Sequence, residues 1–107
     1  MKNEDYQKST NSTAIYPKHI EEEYLMSGIA GEVGELVSKY AKRLRKGSNI
    51  DREYVDGITG ELGDILWFVS QLCNYHHLSL SNVMESNINK LKDRKQRGVI
   101  EGDGDKR

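Results

Sequence analysis

Six residues, used twice, constrain this chain more than any other feature. Gly31-Glu32-Val33-Gly34-Glu35-Leu36 returns 29 residues later as Gly60-Glu61-Leu62-Gly63-Asp64-Ile65. Both copies lie within helical periodicity, and in each the two acids stand three residues apart, on one helix face. Both copies also place two glycines in a helix interior, where each weakens the helix by about 1 kcal/mol relative to alanine. Gly28 and Gly57, three residues upstream, extend the two rows. The same local penalty accepted twice around the same pair of acids implies a shared geometric task.

The surrounding pattern predicts an all-α chain, an antiparallel bundle of about four helices. From about His19 to Lys46, Ile20, Tyr24, Ile29, Val33, Leu36, Val37, Tyr40 and Leu44 recur at threes and fours. Gly47-Ser48-Asn49 ends that helix, and Lys42, Arg43, Arg45 and Lys46 suit the negative end of its dipole. Ser48 or Asp51 can cap the next helix, expected from about Arg52 to His76, with His76 and His77 meeting its C-terminal dipole. Ser79 or Ser81 can cap a last helix, about residues 80–96, with Val83, Met84, Ile88 and Leu91 turned inward. Ahead of these, residues 1–13 read as a partly ordered arm, with a short helix starting near Tyr6 to Lys8. Ala14-Ile15-Tyr16-Pro17 interrupts it, because the residue before proline favours extended backbone. Residues 98–107 carry three charge-flanked glycines and read as a flexible tail or a flap.

A chain of 107 residues suits a single domain, residues 1–107, with one modest core. The formal net charge of −1 provides no general attraction to nucleic acid or anionic membrane, so neither is expected as a partner. The basic run from Lys39 to Lys46 reads as a solvated helix end. A single cysteine, Cys73, excludes an intrachain disulfide and a multi-cysteine metal site. Neither a signal peptide nor a membrane span is visible, which points to a cytoplasmic protein. Ile65-Leu66-Trp67-Phe68-Val69 is apolar around the whole helix circumference, more than a chain this size can cover. A homodimer or homotetramer is therefore expected, with Trp67 in the core.

The loop between the two long helices is short, so they should be antiparallel neighbours. Counted from its centre, between Ser48 and Asn49, Glu35 lies 13.5 positions back and Glu61 12.5 forward. Glu32 lies 16.5 back and Asp64 15.5 forward. At about 1.5 Å rise per residue, each pair is level to within roughly 1.5 Å. Four carboxylates at one height beside an apolar run oppose one another's ionisation, and a divalent cation relieves that. Oxygen donors without His or Cys favour Mg²⁺, with Mn²⁺ as a substitute, and Mg²⁺ held this way completes its shell with water and substrate phosphates. Lys39 and Lys42 extend the acidic face and can neutralise phosphates. The plainer alternative is that the acids are surface groups paired with those lysines. A di-iron bundle would need Glu-x-x-His, which is absent.

At these residues the chain resembles the MazG-like branch of the all-α nucleoside triphosphate pyrophosphohydrolases. The signature Glu-x-x-Glu, spacer, Glu-x-x-Asp reads here as Glu32 and Glu35, then Glu61 and Asp64. The segments Gly28 to Glu35, Glu61 to Phe68, Asn87 to Leu91 and Arg97 to Arg107 are also similar to the family, as is Ala14 to Pro17. The resemblance implies hydrolysis of a (deoxy)nucleoside triphosphate at the α–β bond, a nucleotide-pool-cleansing activity, with Mg²⁺ held by all four acids. One of them, Glu35 or Glu32, would orient or deprotonate the water. It places Asn87 and Lys90 at the metal-phosphate site, and Gln7 and Tyr16 to Ile20 near the base. Phe68 stands where a tyrosine is frequent in the family. The rival readings are a non-catalytic helical interaction module and a nucleotide sensor that binds without cleaving.

Overall fold

The computed structural model describes every residue except Ser48, and the described residues form helices and turns with no strand. The protein is all-α. Four α-helices follow in order: α1 (Asn3–Ser9), α2 (Glu21–Lys46), α3 (Arg52–Tyr75) and α4 (Leu80–Gln96). Short 3-10 turns at Thr10–Thr13 and Lys18–Ile20 connect α1 to α2. The two long helices are the frame, and most tertiary contact lies between them.

The helix ends are chemically marked. α2 starts without a side-chain cap, but Glu21, Glu22 and Glu23 place negative charge in its first turn, against the positive end of the dipole. It stops at Gly47, whose φ of +61° is the left-handed conformation that lets the chain leave a helix. Of the two candidate caps for α3, Asp51 acts: its side chain accepts from the Tyr54 N–H at 2.8 Å. The alternative, Ser48, lies outside the described residues. α4 is capped by Ser79, which accepts from the Asn82 N–H at 3.2 Å.

The core sits at one end of the frame. Tyr16, Leu25 and Phe68 are buried together, with Ala14, Ile29, Trp67 and Leu72 packed around them. Tyr16 stacks on Tyr24 at 4.8 Å between centroids, and Trp67 meets Phe68 edge-on at 5.0 Å. Gly28 permits this arrangement: a Cβ there would lie 2.2 Å from Phe68 Cε1.

Residues 1–13 are more ordered than a polar arm is expected to be. Gln7, Asn11 and Thr13 run antiparallel to α3 and hydrogen-bond it: Gln7 to Asn74 at 2.8 Å, Gln71 to Asn11 at 3.0 Å, and the Trp67 indole N–H to Thr13 at 2.8 Å. The buried Thr10 hydroxyl accepts from Gln71 at 2.9 Å and lies 3.1 Å from Ser70 Oγ. Buried polar groups that are mutually satisfied hold a segment as firmly as apolar contact does. Hydropathy periodicity has no means of registering such pairing.

One packing expectation is corrected. Val83, Met84 and Ile88 do not face inward; they are exposed, Ile88 by 51%, because α4 packs on α1 and not on the α2–α3 frame. The apolar stretch of α3 is only partly covered within the single chain, as its length against this chain's size implies: Phe68 is buried, but Leu66 is 44% exposed. The tail does not trail away. Asp105 binds Lys90 at 2.7 Å and the buried Arg94 at 3.1 Å, while Arg97 donates to the Arg107 carbonyl at 2.7 Å.

Gly28→Ala is expected to force the Phe68 ring out of place, an overpacking that typically costs about 1–3 kcal/mol against a helix-propensity gain of about 1. Thermal melting should show a drop of several degrees; an unchanged or higher midpoint would mean that the ring has free room to move.

Candidate metal centre

Antiparallel packing of α2 and α3 brings the two copies of the repeat face to face, as the position count requires. Glu32, Glu61 and Asp64 each offer a carboxylate oxygen, and these atoms all lie within 4.8 Å of one another. Glu32 and Glu61 are half-buried and Asp64 is exposed, so the cluster opens at the surface. Glu35 stands one turn along the same face of α2, exposed and outside this triad, but its charge is felt at Glu32.

The electrostatics are those of crowded like charges. The Glu32 carboxyl is held above the usual carboxylate range, first by the hydrogen bond it shares with Glu61, then by burial and the charges of Asp64, Glu61 and Glu35. Glu61 Oε2 is buried and has no hydrogen-bond partner among the described residues. Its Oε1 lies 3.7 Å from Lys39 Nζ, a loose contact that leaves most of the negative charge uncompensated. Gly57 borders this contact, since a Cβ there would stand 3.2 Å from Lys39 Cδ. An orphaned buried carboxylate oxygen within an all-oxygen cluster fits a hard divalent cation. The alternative of surface acids neutralised by lysines accounts for Lys39 alone, because Lys42 is exposed and has no ion-pair partner among the described residues.

Residues 20–99 match the family model of the MazG nucleotide pyrophosphohydrolase domain. The chain belongs to this family. It is also similar to the "Gene 37 protein" of Mycobacterium phage L5, 45% identical over 109 residues that span 95% of this chain and 96% of the phage protein. No solved structure matches. The paired acids therefore sit inside a MazG domain, within the stretch where the match lies.

The other candidate residues of this MazG domain are placed differently. Gln7 bridges three elements: it donates to Asn74 and to the Leu78 carbonyl, each at 2.8 Å, and accepts from the Leu80 N–H at 2.8 Å. Tyr16 is buried, and its single O–H is shared between two acceptors, Glu21 Oε2 at 2.5 Å and Gln71 Oε1 at 2.9 Å. Burial, then the Glu21 hydrogen bond, push that phenol far above its ordinary value, and the same bond holds Glu21 low. Both side chains thus serve the fold at these contacts. Asn87 is exposed on α4, Lys90 is held by Asp105, and no described hydrogen bond or ion pair joins either to the acids.

One neighbour of the acids had no signal in the sequence: Tyr6, on α1, comes close enough for the Asp64 charge to add to burial in raising its pKa. Gly57, which extends the second row of the repeat, is the glycine that borders Lys39. His76, expected to serve the α3 dipole, also pairs across to Glu22 of α2 at 3.1 Å.

Because the metal-free native state holds the Glu32 proton more tightly than the unfolded chain does, its stability should rise as pH falls from neutrality through the raised Glu32 pKa toward the ordinary carboxylate range. Glu32→Gln puts a permanent amide donor in that position. The variant should flatten this pH dependence and raise the neutral-pH melting temperature in EDTA by a few degrees. Melts across about pH 5–8 check this, and a lower neutral-pH midpoint in the variant would contradict the crowding of charge.

Proposed function

We propose that this MazG domain hydrolyses nucleoside or deoxynucleoside triphosphates at the α–β bond with Mg²⁺, releasing the monophosphate and pyrophosphate. The observation that carries the reading is the convergence of Glu32, Glu61 and Asp64 from two helices, with an unsatisfied buried oxygen among them. These three would hold the cation, with Mn²⁺ as a substitute. When bound, the cation supplies charge neutralisation for phosphate oxygens and Lewis acidity toward water.

The chain's own groups divide the remaining work. Glu35 is the acid left outside the triad, and it has no ion-pair partner among the described residues. It orients the attacking water and takes its proton as the water oxygen bonds to the α-phosphorus. The bond from that phosphorus to the bridging oxygen breaks, and pyrophosphate leaves. Lys39, already beside Glu61, stabilises the negative charge that gathers on the leaving group. In a panel of nucleotides with Mg²⁺, pyrophosphate release is expected for at least one triphosphate. Glu61→Gln should lose at least a hundredfold in turnover while keeping its fold. No release across the panel would refute catalysis and favour a sensor or an interaction module.

The protein also works as a homodimer or homotetramer in this proposal. Its radius of gyration is 16.7 Å, against about 13 Å for a compact chain of this length. Val37 on α2, Leu62 on α3 and Ile88 on α4 are each more than half exposed. A Cβ at Gly31, Gly34, Gly60 or Gly63 would meet no described atom within 4 Å beyond its own helix backbone, so packing within the single chain does not explain their helix cost. A second copy also offers Asn87 and Lys90 a route to acids that their own chain does not bring to them. Light scattering after size exclusion should report at least twice the chain mass, and Leu62→Lys should lower it; a monomer at micromolar concentration would contradict this assembly.

A further inference from the structure

A second feature lies next to the acids and is not absorbed by them. Lys39, Lys42, Arg43 and Lys46 occupy one face of α2, at positions i, i+3, i+4 and i+7, and look across to α3. Together with Tyr54 and Gly57 they line a cavity of about 260 Å³ at the turn end of the hairpin.

The helix dipole explains cations in the last turn of α2, where Arg43 and Lys46 lie. It does not explain Lys39, which stands about two turns before the helix end, nor why all four share a face that borders a cavity. The charges of the three lysines are poorly compensated among the described residues. Lys39 touches Glu61 at 3.7 Å, and neither Lys42 nor Lys46 has an ion-pair partner among the described residues. Two acids also line the cavity, Asp51 and Glu53, but Asp51 is committed to capping α3. The Arg43 guanidinium is held in place by rings on both helices, 5.4 Å from the Tyr40 centroid and 4.8 Å from that of Tyr54. A fixed guanidinium flanked by three lysines is a preorganised receptor for a multiply charged anion.

Size and position specify the anion. The volume is below the roughly 300–1,000 Å³ of cavities that hold whole drug-sized ligands. The Tyr54 ring in the lining already carries Arg43 over one face. Lys39 belongs to both the cavity and the acid cluster, and Lys42 and Lys46 stand about one and two turns beyond it. We propose that this basic cavity is the subsite for the pyrophosphoryl end of the substrate, receiving its β- and γ-phosphates while the α-phosphate lies at the acids. This rests on the proposed triphosphate chemistry. It adds that the chain grips a terminal diphosphate through α2 alone, and that inorganic pyrophosphate binds the free protein.

The test needs neither metal nor turnover. Calorimetric titration of inorganic pyrophosphate into the EDTA-treated protein should show saturable binding, with orthophosphate weaker. The double variant Lys42→Gln, Lys46→Gln, whose side chains are exposed and whose melting should be unchanged, is expected to bind at least tenfold more weakly. Lys42→Arg with Lys46→Arg should restore binding. Absent binding, equal binding by the glutamine variant, or displacement by a single-stranded oligonucleotide at matched phosphate concentration would each overturn the proposal. Nucleotide hydrolysis without pyrophosphate binding would remove this subsite and leave the activity standing. Pyrophosphate binding without hydrolysis would do the reverse.

Discussion

Everything specific about this protein depends on the crowding of carboxylates where α2 meets α3. Oxygens of three acids approach within 4.8 Å of one another, and burial raises the cost of their charge. A fold selected for stability alone would place apolar side chains here, since α2–α3 packing is the main tertiary contact in the chain. The acids are instead held together by the rest of the hairpin. Lys39 offsets part of their charge, the aromatic core anchors one end, and the helix register keeps the two repeats level. Unrelieved charge between the two long helices suits a divalent cation.

The aromatic and polar contacts at the far end are what permit that arrangement. Phe68 fills the space over Gly28, Tyr16 stacks on Tyr24, and Gln71 and Asn74 tie the first thirteen residues to α3. The upstream glycines turn out to serve two different ends: Gly28 admits a ring and Gly57 admits a lysine. A Cβ at any of the four glycines inside the repeat would meet no other described residue within 4 Å beyond its own helix backbone. They belong with the exposed apolar residues of α2 and α3, which suit contact with another surface.

Much of the fold was legible from residue spacing. The limits of α2, α3 and α4 follow from threes and fours bounded by Gly47, Asp51 and Ser79, because apolar periodicity and caps are local properties. The acid cluster was legible for a different reason: acids at nearly equal distances from the turn between two antiparallel helices come to one height, and this is arithmetic on the helical rise. The N-terminal segment was not, since its anchoring rests on paired amides and hydroxyls that carry no periodic signal. Inward placement of Val83, Met84 and Ile88 failed because an amphipathic pattern says which face is apolar but not what covers it.

The sequence alone determined that this is an all-α chain of the MazG family whose acids come in two matched pairs. Those are consequences of local spacing and of residue identity at the motif. Only the tertiary structure decided that Glu32, Glu61 and Asp64 form the closest group while Glu35 stands apart. It also decided that Lys39 crosses to α3, that Gln7 and Tyr16 are bound into the fold, and that four cations share one cavity. Such facts depend on the rotation of two helices about their own axes and on which side chains fill the space between them. That rotation is a property of packed surfaces, and no single stretch of the chain contains it.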